Sequence, residues 1–328
     1  MSSPYPSLVS PVPVAEPSVA EQIEHNTIEW AKHYGLIHRN ADVQLLLKHQ
    51  YGTLIARAFP QASPSELQLV ADWHTWRVLF DDQCDKSGLG RAPALLGAYQ
   101  KKILTVFHGG RVSESSPHFC ALYDIAQRFR TYSNQAWYER FLQHVDAYCK
   151  ATLWEANNRA WLRVPDLRSY TMMRLYTSFM YGYFTLIEYI NHLDLPDKVY
   201  EHRKLQNVLK YANNSICWTN DLVSFHKEQS QSDVHNVVAV LYHTREYPLP
   251  KALKQATAMQ KAEIQRFQQA IERLPSFGSG LDIEIEQVIQ GLQHWIRAYI
   301  DWSLETTRYQ PRAQREKSMA DMLTKLAS

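Results

Sequence analysis

Hydrophobic residues recur every three to four positions along most of the chain from about residue 21, and short polar breaks separate the stretches in which they do so. This spacing is typical of amphipathic α-helices, whereas the apolar and polar alternation of a half-buried strand is rare. The pattern therefore predicts an all-α protein. Its clearest predicted helices cover residues from 63 or 65 to 86, 166–191, 199–229 and 282–307.

The first of these helices carries recognisable signals at both ends. Ser63 or Ser65 can cap its N-terminus, and Pro64 is tolerated in the first turn because its missing N–H is not needed there. The helix should end near Lys86, with Gly88 in the left-handed conformation that terminates many helices. A polar segment, QSQSDVHN, follows the third helix and is equally consistent with a mobile lid and with a solvated connection.

Composition supports the helical prediction and limits the number of domains. The 11 glycines among 328 residues are about half of average usage, which argues against the many tight turns of an all-β or doubly wound fold. With 45% hydrophobic residues, the chain can bury a large core. We expect one helical domain at residues 21–312, a disordered proline-rich arm at 1–20 and a polar tail at 313–328.

Charge and cysteine content argue against several classes of partner and site. The 35 Lys and Arg residues against 33 Asp and Glu give a net charge of +2, too small to indicate binding to nucleic acid or an anionic membrane. Neither a membrane span nor a secretory signal is predicted. The 4 cysteines form no CxxC pair, so we expect no disulfide framework and no zinc site, and a reduced, cytoplasmic setting.

Candidate chemistry first appears in the sequence DDQCD, residues 81–85, near the end of the first helix. Asp81 and Asp85 are four positions apart and therefore share a helix face. Carboxylates near a helix C-terminus face the negative end of its dipole, an unfavourable placement that a bound cation would relieve. Oxygen ligands of this kind suit Mg²⁺. A solvated acidic helix end explains the DDQCD sequence equally well.

A second cluster, NDLVSFHKE at residues 220–228, carries a more specific signal. Asn220, Ser224 and Glu228 are spaced four and four, so an amide oxygen, a hydroxyl and a carboxylate lie along one helical stripe. These oxygens form a ligand set for Mg²⁺. Lys227, next to Glu228, can reach an anion held by the same ion. The spacing therefore predicts a helix that binds a metal ion and a phosphate together.

With both clusters in place, the chain resembles the class I terpene synthases, particularly the compact single-domain type of bacteria and fungi. DDQCD matches the aspartate-rich motif of that family, and NDLVSFHKE matches its second metal motif in full. Arg174 lies 46 positions before Asn220, where the family carries its diphosphate-sensing arginine. Arg308 and Tyr309 match the Arg-Tyr pair at the end of its last long helix, so the resemblance covers about residues 30–309.

The resemblance implies a fold, a reaction and a cofactor. Class I terpene synthases are helical bundles with a central active-site cavity, in which a linear isoprenyl diphosphate is ionised and the allylic cation cyclises. Three Mg²⁺ ions are expected per site, with Mn²⁺ able to substitute, and the protein is expected to be a monomer or a homodimer. The implied metal ligands are Asp81, Asp85, Asn220, Ser224 and Glu228, and the implied diphosphate contacts are Arg174, Lys227, Arg308 and Tyr309.

The residues that trigger ionisation match the family less closely. In relatives, a linker residue and an effector residue at a helix break follow the sensor arginine by three and four positions. Thr177 and Ser178 occupy these positions here, and together with Arg174 they form the predicted catalytic set. Because the family effector is frequently glycine, Gly182 is an alternative to Ser178.

The pocket that receives the cation is predicted from aromatic residues, whose faces stabilise positive charge in a dry site. Trp302, six positions before Arg308, and Trp73, eight before Asp81, are the candidates. Relatives often carry aromatic residues one turn before the acidic pair, where this chain has Arg77 and Val78. The first helix therefore departs from the family pattern at this point.

Farnesyl diphosphate is the expected substrate because single-domain relatives of this length mostly make sesquiterpenes. Geranyl and geranylgeranyl diphosphate remain alternatives. Chain-elongating prenyltransferases carry a second DDxxD where this chain has NDLVSFHKE, and no DxDD motif of a class II cyclase occurs. A catalytically silent helical binding protein is the alternative from another class, and the complete set of ligand residues argues against it.

Overall fold

The computed structural model describes residues 17–86, 88–113 and 116–309, without the side chains of residues 85 and 86. Helices connected by short turns account for this part of the chain, and no β-strand occurs in it, which confirms the all-α prediction. The helices are α1 (Pro17–His33), α2 (Asn40–His49), α3 (Tyr51–Ala58), α4 (Pro64–Lys86), α5 (Pro93–Phe107), α6 (Pro117–Tyr132), α7 (Gln135–Ala160), α8 (Leu167–Thr177), α9 (Met180–Ile190), α10 (Asp197–Tyr200), α11 (Arg203–Ser230), α12 (Val237–Thr244), α13 (Leu249–Glu272) and α14 (Ser279–Glu305). Two 3₁₀ turns cover Gly88–Arg91 and Thr307–Tyr309.

The described residues fall into two compact units. The N-terminal unit contains residues 17–163 and 189–191, and the C-terminal unit contains residues 164–188 and 192–309. The single domain expected at 21–312 remains a prediction. Helix α1 begins at Pro17, within the expected arm, while residues 1–16 and 313–328 lie outside the described residues.

In the N-terminal unit, α4 packs against α1, α3 and α6, while α5 packs on α7. The first turn of α4 is a capping box, since the backbone N–H of Ser63 donates to Glu66 at 2.8 Å and the N–H of Glu66 donates to Ser63 Oγ at 3.4 Å. The predicted cap at Ser63 and the end at Lys86 are confirmed. The expected left-handed Gly88 is wrong, because Gly88 instead begins a 3₁₀ turn without positive φ.

In the C-terminal unit, α11 occupies the centre and packs against α8, α12, α13 and α14. Every residue from Ala212 to Thr219 and from Asp221 to Phe225 is buried, so this helix is enclosed on all sides over about four turns. Such enclosure places the NDLVSFHKE motif inside the unit instead of on an exposed amphipathic face.

Two of the four predicted helices are interrupted or shortened at places that matter for the site. The stretch predicted at 166–191 forms α8 and α9, separated by Ser178 and by Phe179, whose φ of 61° is left-handed. The last helix ends at Glu305, and Thr306 adopts an extended conformation with φ −65° and ψ 145°. Arg308 therefore lies in a separate 3₁₀ turn, whereas the resemblance implied a place at the end of the last helix.

No helix among the described residues combines the length and the apolar character that a membrane span requires.

Candidate functional site

The predicted ligand stripe of the second motif lies on the part of α11 that is enclosed by its neighbours. Ser224 is 1% exposed, and its Oγ has no hydrogen-bond partner among the described residues. Glu228 is half-buried one turn further along. Removal of this carboxyl from water raises its pKa to about 7, and the nearby negative charges of Asp221 and Asp233 act in the same direction. A cation at this stripe would relieve both costs.

Asp221 is held by hydrogen bonds from two neighbouring elements. Arg174 donates to its Oδ1 through Nε at 3.0 Å and lies 2.9 Å from it through Nη2, which forms an ion pair with the 1% exposed carboxylate side chain. Its Oδ2 accepts from the Tyr170 hydroxyl at 2.6 Å and from the Val237 backbone N–H at 2.8 Å. These contacts join α8, α11 and the start of α12, and they fix the arginine predicted to sense diphosphate.

Asn220 contacts two of the predicted site residues, Arg174 and Tyr309, and one further tyrosine. Its Oδ1 accepts from Arg174 Nη2 at 2.6 Å, and its Nδ2 donates to the hydroxyls of Tyr299 and Tyr309 at 2.6 and 2.9 Å. The two tyrosine hydroxyls lie 3.0 Å apart. Since guanidinium has only donors, the amide oxygen must face Arg174. A carbonyl oxygen has a second lone pair, so this contact does not prevent Asn220 from serving as a metal ligand.

The predicted linker and effector lie where α8 ends. Arg174 Nη1 approaches Thr177 Oγ1 at 3.4 Å. Ser178 occupies the helix break itself, where its hydroxyl hydrogen-bonds with Asn213 Oδ1 at 3.3 Å. Gly182, the alternative effector, lies inside α9. The position of Ser178 at the break agrees with the effector assignment, and its role in ionisation remains a prediction.

The remaining predicted diphosphate residues flank this cluster. Lys227 is half-buried on α11 beside Glu228, and the backbone N–H of Arg308 donates to Thr306 Oγ1 at 3.2 Å. Burial raises the pKa of Tyr309, which the positive charge of Arg308 partly opposes, so the hydroxyl stays protonated as a donor. The ring of Trp302 meets the ring of Tyr309 edge to face at 5.7 Å.

The segment after α11, predicted as a lid or a solvated connection, is anchored at its C-terminal end. His235 is 7% exposed, and its backbone carbonyl accepts from the Tyr170 hydroxyl at 3.1 Å. Asn236 is fully buried and caps α12. The carboxylate of Asp233 lies 2.8 Å from His235 Nδ1. Residues 233–236 therefore belong to the packed site, which excludes a solvated connection for this half of the segment.

The first acidic motif lies in the N-terminal unit. Asp81 accepts from the Tyr148 hydroxyl at 2.8 Å and from Arg77 Nη1 at 3.4 Å. Arg77, which stands where relatives often have an aromatic residue, thus contributes a cation next to the predicted ligand. The side chain of Asp85 lies outside the described residues. Trp73, predicted to line the pocket, is 1% exposed and stacks on Trp76 at 5.6 Å.

The donor set of the second motif fits a hard divalent cation. Ser224 supplies a hydroxyl oxygen that no group of the described residues satisfies, and Asn220 supplies an amide oxygen. Glu228 supplies a carboxylate whose charged form burial disfavours. Among the described residues no group of three or more His, Cys, Asp or Glu side chains is placed to hold a metal. The predicted ligand set of the motif consists of one carboxylate and two neutral oxygens.

Sequence reasoning missed several residues that organise the site. Tyr170 and Asn236 bind the motif from α8 and α12, Tyr299 binds Asn220 from α14, and Tyr148 binds Asp81 from α7. Tyr299 could have been found, because it precedes Ser303 and Trp302 on the buried face of the last predicted helix. The others come from distant parts of the chain, and no local spacing connects them to a motif.

The chain is similar to terpene synthases in both sequence and fold. The family model described as terpene synthase family 2, C-terminal metal binding, matches residues 72–266. The (+)-T-muurolol synthase of Roseiflexus castenholzii, described as (2E,6E)-farnesyl diphosphate cyclizing, is 34% identical over 313 residues, which cover 93% of each chain. The 10-epi-cubebol synthase of Sorangium cellulosum is 32% identical over 306 residues, 92% of this chain and 97% of that protein.

Solved structures share the fold at lower sequence identity. The SVS_A2 protein from ancestral sequence reconstruction is similar with a TM-score of 0.81 and 24% identity, covering 96% of this chain and 97% of its own. The germacradien-4-ol synthase from Streptomyces citricolor has a TM-score of 0.78 and 23% identity, covering 90% and 97%. With a family model that matches more than half of its residues and relatives that match over nearly their whole length, this chain belongs to terpene synthase family 2, the class I terpene synthases.

Proposed function

We propose that this class I terpene synthase ionises farnesyl diphosphate and cyclises the farnesyl cation to a sesquiterpene, releasing diphosphate. One observation carries the choice of substrate: the chain is 34% identical, over 93% of both lengths, to an enzyme named for cyclising (2E,6E)-farnesyl diphosphate. As a class I terpene synthase, the protein is a carbon–oxygen lyase acting on diphosphates.

The proposed metal ligands are Asp81 and Asp85 in the first motif and Asn220, Ser224 and Glu228 in the second. Three Mg²⁺ ions bound by these residues would act as Lewis acids, stabilising the negative charge that develops on the diphosphate as its C–O bond breaks. Two observations support the second set: the Oγ of Ser224 has no hydrogen-bond partner in the part of the chain that the structure describes, and the pKa of Glu228 is raised. Asp81 is the supported member of the first set, because it lies at the surface of α4 with a carboxylate held by Tyr148.

Arg174 is proposed to bind the diphosphate through the Nη1 end of its guanidinium. Its Nε and Nη2 are already directed at Asp221 and Asn220, whereas Nη1 makes a longer contact of 3.4 Å with Thr177. A guanidinium fixed on one side presents its remaining donors in a defined direction, which favours binding of a phosphate oxygen. Lys227, Arg308 and Tyr309 supply the further cations and the hydroxyl that would complete the clamp.

Thr177 and Ser178 connect this clamp to the helix break. Because Thr177 touches Arg174 and Ser178 terminates α8, a shift of the arginine on diphosphate binding would move the backbone at the break. The aromatic ring of Trp302, and that of Trp73 in the N-terminal unit, are proposed to face the cation that remains. Water must be excluded while the cation rearranges, since it would otherwise trap it as an alcohol.

The deciding experiment supplies the purified protein with farnesyl, geranyl or geranylgeranyl diphosphate and Mg²⁺, followed by gas chromatography and mass spectrometry of the extract. We expect a cyclic sesquiterpene from farnesyl diphosphate as the main product. Faster turnover of the shorter or longer diphosphate would replace the substrate assignment. Absence of a volatile product from all three diphosphates would favour a silent binding protein.

The dependence of diphosphate binding on the metal provides a second test. We expect Mg²⁺ and inorganic diphosphate together to raise the melting temperature, while either one alone has a small effect, because each supplies the charge that the other needs at the site. Saturation at about 100 times the dissociation constant stabilises a protein by about 2.7 kcal/mol. Differential scanning calorimetry with EDTA as the control measures the shift, and equal shifts with diphosphate alone would contradict a metal-mediated clamp.

A further inference from the structure

We propose that Asn236 is a positioning residue for the metal ligand Glu228, acting from the start of α12 on a carboxylate of α11. The proposal rests on the function proposed above, because it concerns a ligand of that site. It assigns a task to a residue that lies eight positions after Glu228 and outside both metal motifs.

The side-chain amide of Asn236 is held at three points. Its Nδ2 donates to the backbone carbonyl of Asp221 at 2.6 Å and to Glu228 Oε2 at 2.8 Å. Its Oδ1 accepts from the Val238 backbone N–H at 2.8 Å, which makes Asn236 the N-cap of α12. The residue is 0% exposed. Two of these contacts are to the backbone, so the plane of the amide is fixed independently of Glu228.

This fixed amide determines where the glutamate carboxylate can lie. Glutamate has three rotatable side-chain bonds, and its free carboxylate could sample many positions along α11. Asp221 and Glu228 are seven positions apart, about two helical turns, so they lie on the same face of α11 and one NH₂ group can span them. Donation to Oε2 selects one rotamer of Glu228 and leaves the other carboxylate oxygen to bind a cation.

A purely structural role is the competing explanation, since Asn236 also caps a helix. The two roles use different atoms: the cap uses Oδ1, whereas positioning uses Nδ2. Serine retains a cap acceptor but has no amide donor. The substitution Asn236→Ser therefore removes the positioning contact while keeping the chemistry of the cap.

The test measures Mg²⁺ affinity by isothermal titration in the presence of inorganic diphosphate, on folded protein confirmed by circular dichroism. We expect Asn236→Ser to weaken Mg²⁺ binding by about 10- to 100-fold, the range seen when an outer-shell partner of a metal ligand is lost. Asn236→Thr, which fills more of the vacated volume and also caps, should give the same loss. Excess Mg²⁺ should restore much of the turnover.

Asn134 provides a matched control. It is the N-cap of α7, where its Oδ1 accepts from the Trp137 N–H at 2.8 Å. Asn134→Ser should leave Mg²⁺ affinity unchanged. An equal loss in both asparagine variants would overturn the proposal, because it would trace the effect to helix capping in general.

A double-mutant cycle with Glu228→Gln supplies the decisive readout. If Asn236 acts through Glu228, then Asn236→Ser has little further effect on Mg²⁺ affinity once the carboxylate is gone. Additive losses in the double variant, or full Mg²⁺ affinity in folded Asn236→Ser, would overturn the proposal and leave the proposed function standing. Failure of the wild-type protein to convert any isoprenyl diphosphate would instead overturn the proposed function.

Discussion

Two serines on α11 differ in what their hydroxyls do. Ser215 Oγ donates to the backbone carbonyls of Tyr211 and Ala212 at 3.0 and 2.9 Å, the usual arrangement for a serine inside a helix. Ser224 is equally buried, yet its Oγ has no partner among the described residues. A buried hydroxyl without a hydrogen bond lowers stability, so Ser224 is a candidate to bind a ligand that the described residues do not supply.

Ser224→Ala should therefore separate stability from activity. The substitution removes an unsatisfied hydroxyl, and we expect the free energy of unfolding to stay unchanged or to rise by about 1 kcal/mol. Turnover of farnesyl diphosphate at limiting Mg²⁺ should fall at least about tenfold, because a metal ligand is lost. Urea denaturation and product analysis by gas chromatography measure the two quantities.

Ser215→Ala is the control on the same helix. It removes a satisfied hydroxyl on the opposite face of α11 from the ligand stripe, so stability should fall by about 1 kcal/mol while turnover stays at the wild-type level. Wild-type Mg²⁺ dependence in Ser224→Ala would remove Ser224 from the ligand set.

At the break between α8 and α9, the ring of Phe179 packs against Gly182, three positions further along the chain. Phe179 adopts a φ of 61°, which is costly for a residue with a side chain. Its ring, 2% exposed, lies directly against Gly182 in the first turn of α9. A Cβ at Gly182 would stand 2.2 Å from Cζ of that ring, so only glycine leaves room for it. The glycine weighed as an effector thus supports the break from inside the helix.

Gly182→Ala should disturb the break by displacing the Phe179 ring. The ring is buried and has little space to move, so we expect a loss of about 1–3 kcal/mol in the free energy of unfolding. Because Thr177 and Ser178 lie next to Phe179, kcat should also fall. Thermal unfolding and steady-state kinetics with farnesyl diphosphate would measure these effects.

Gly97, inside α5, is the matched glycine. Among the described residues a Cβ there would meet Leu153 side-chain atoms alone, at 3.9 and 4.0 Å, so Gly97→Ala should stabilise the helix by about 0.5–1 kcal/mol and leave kcat unchanged. If Gly182→Ala behaves like Gly97→Ala, the packing of Phe179 on Gly182 does not maintain the break.

At the scale of the whole molecule, the pH dependence of stability is a sum over buried titratable groups. Buried carboxyls and buried histidines contribute to it with opposite signs. Burial raises the pKa of Glu24 to about 7 and that of Asp72 to about 6. Burial lowers the pKa of His118 and of His144 to about 4. The contribution of Glu24 to the free energy of unfolding is therefore lost as pH rises from 4.5 to about 7, and that of Asp72 as pH rises from 3.8 to about 6. The contribution of the two histidines is lost as pH falls from 6.5 to about 4.

Glu24→Gln should expose this balance. Glu24 accepts from the Gly52 N–H at 2.5 Å, and the amide oxygen of glutamine can accept the same bond. Between pH 4.5 and 7 the folded protein holds up to one more proton at Glu24 than the unfolded chain does. Because glutamine does not titrate, the free energy of unfolding of the variant should rise more steeply with pH than that of the wild type, by up to about 1.4 kcal/mol per pH unit. Urea denaturation at several pH values would show it, and parallel wild-type and variant curves would contradict it.

Part of this protein could be read from local sequence. Helical periodicity gave the all-α class, and Ser63 with Pro64 gave the start of α4, because capping depends on neighbouring residues. The last helix ends at Glu305, two residues before the predicted end at 307. Thr306 takes an extended conformation, and the tyrosine of the following turn is buried against Asn220, a contact that spans 89 positions.

The sequence by itself determined the predicted ligand stripe, and the motifs that contain it carried the resemblance that implied the reaction. The spacing of Asn220, Ser224 and Glu228 places three oxygens on one stripe of any helix that they form, whatever surrounds it. Only the tertiary structure decided which groups hold that stripe. Arg174 and Tyr170 meet Asp221, and Asn236 meets Glu228, because α8 and α12 pack on α11. Helix packing brings together residues that no local period connects, so these partners became visible only in the folded chain.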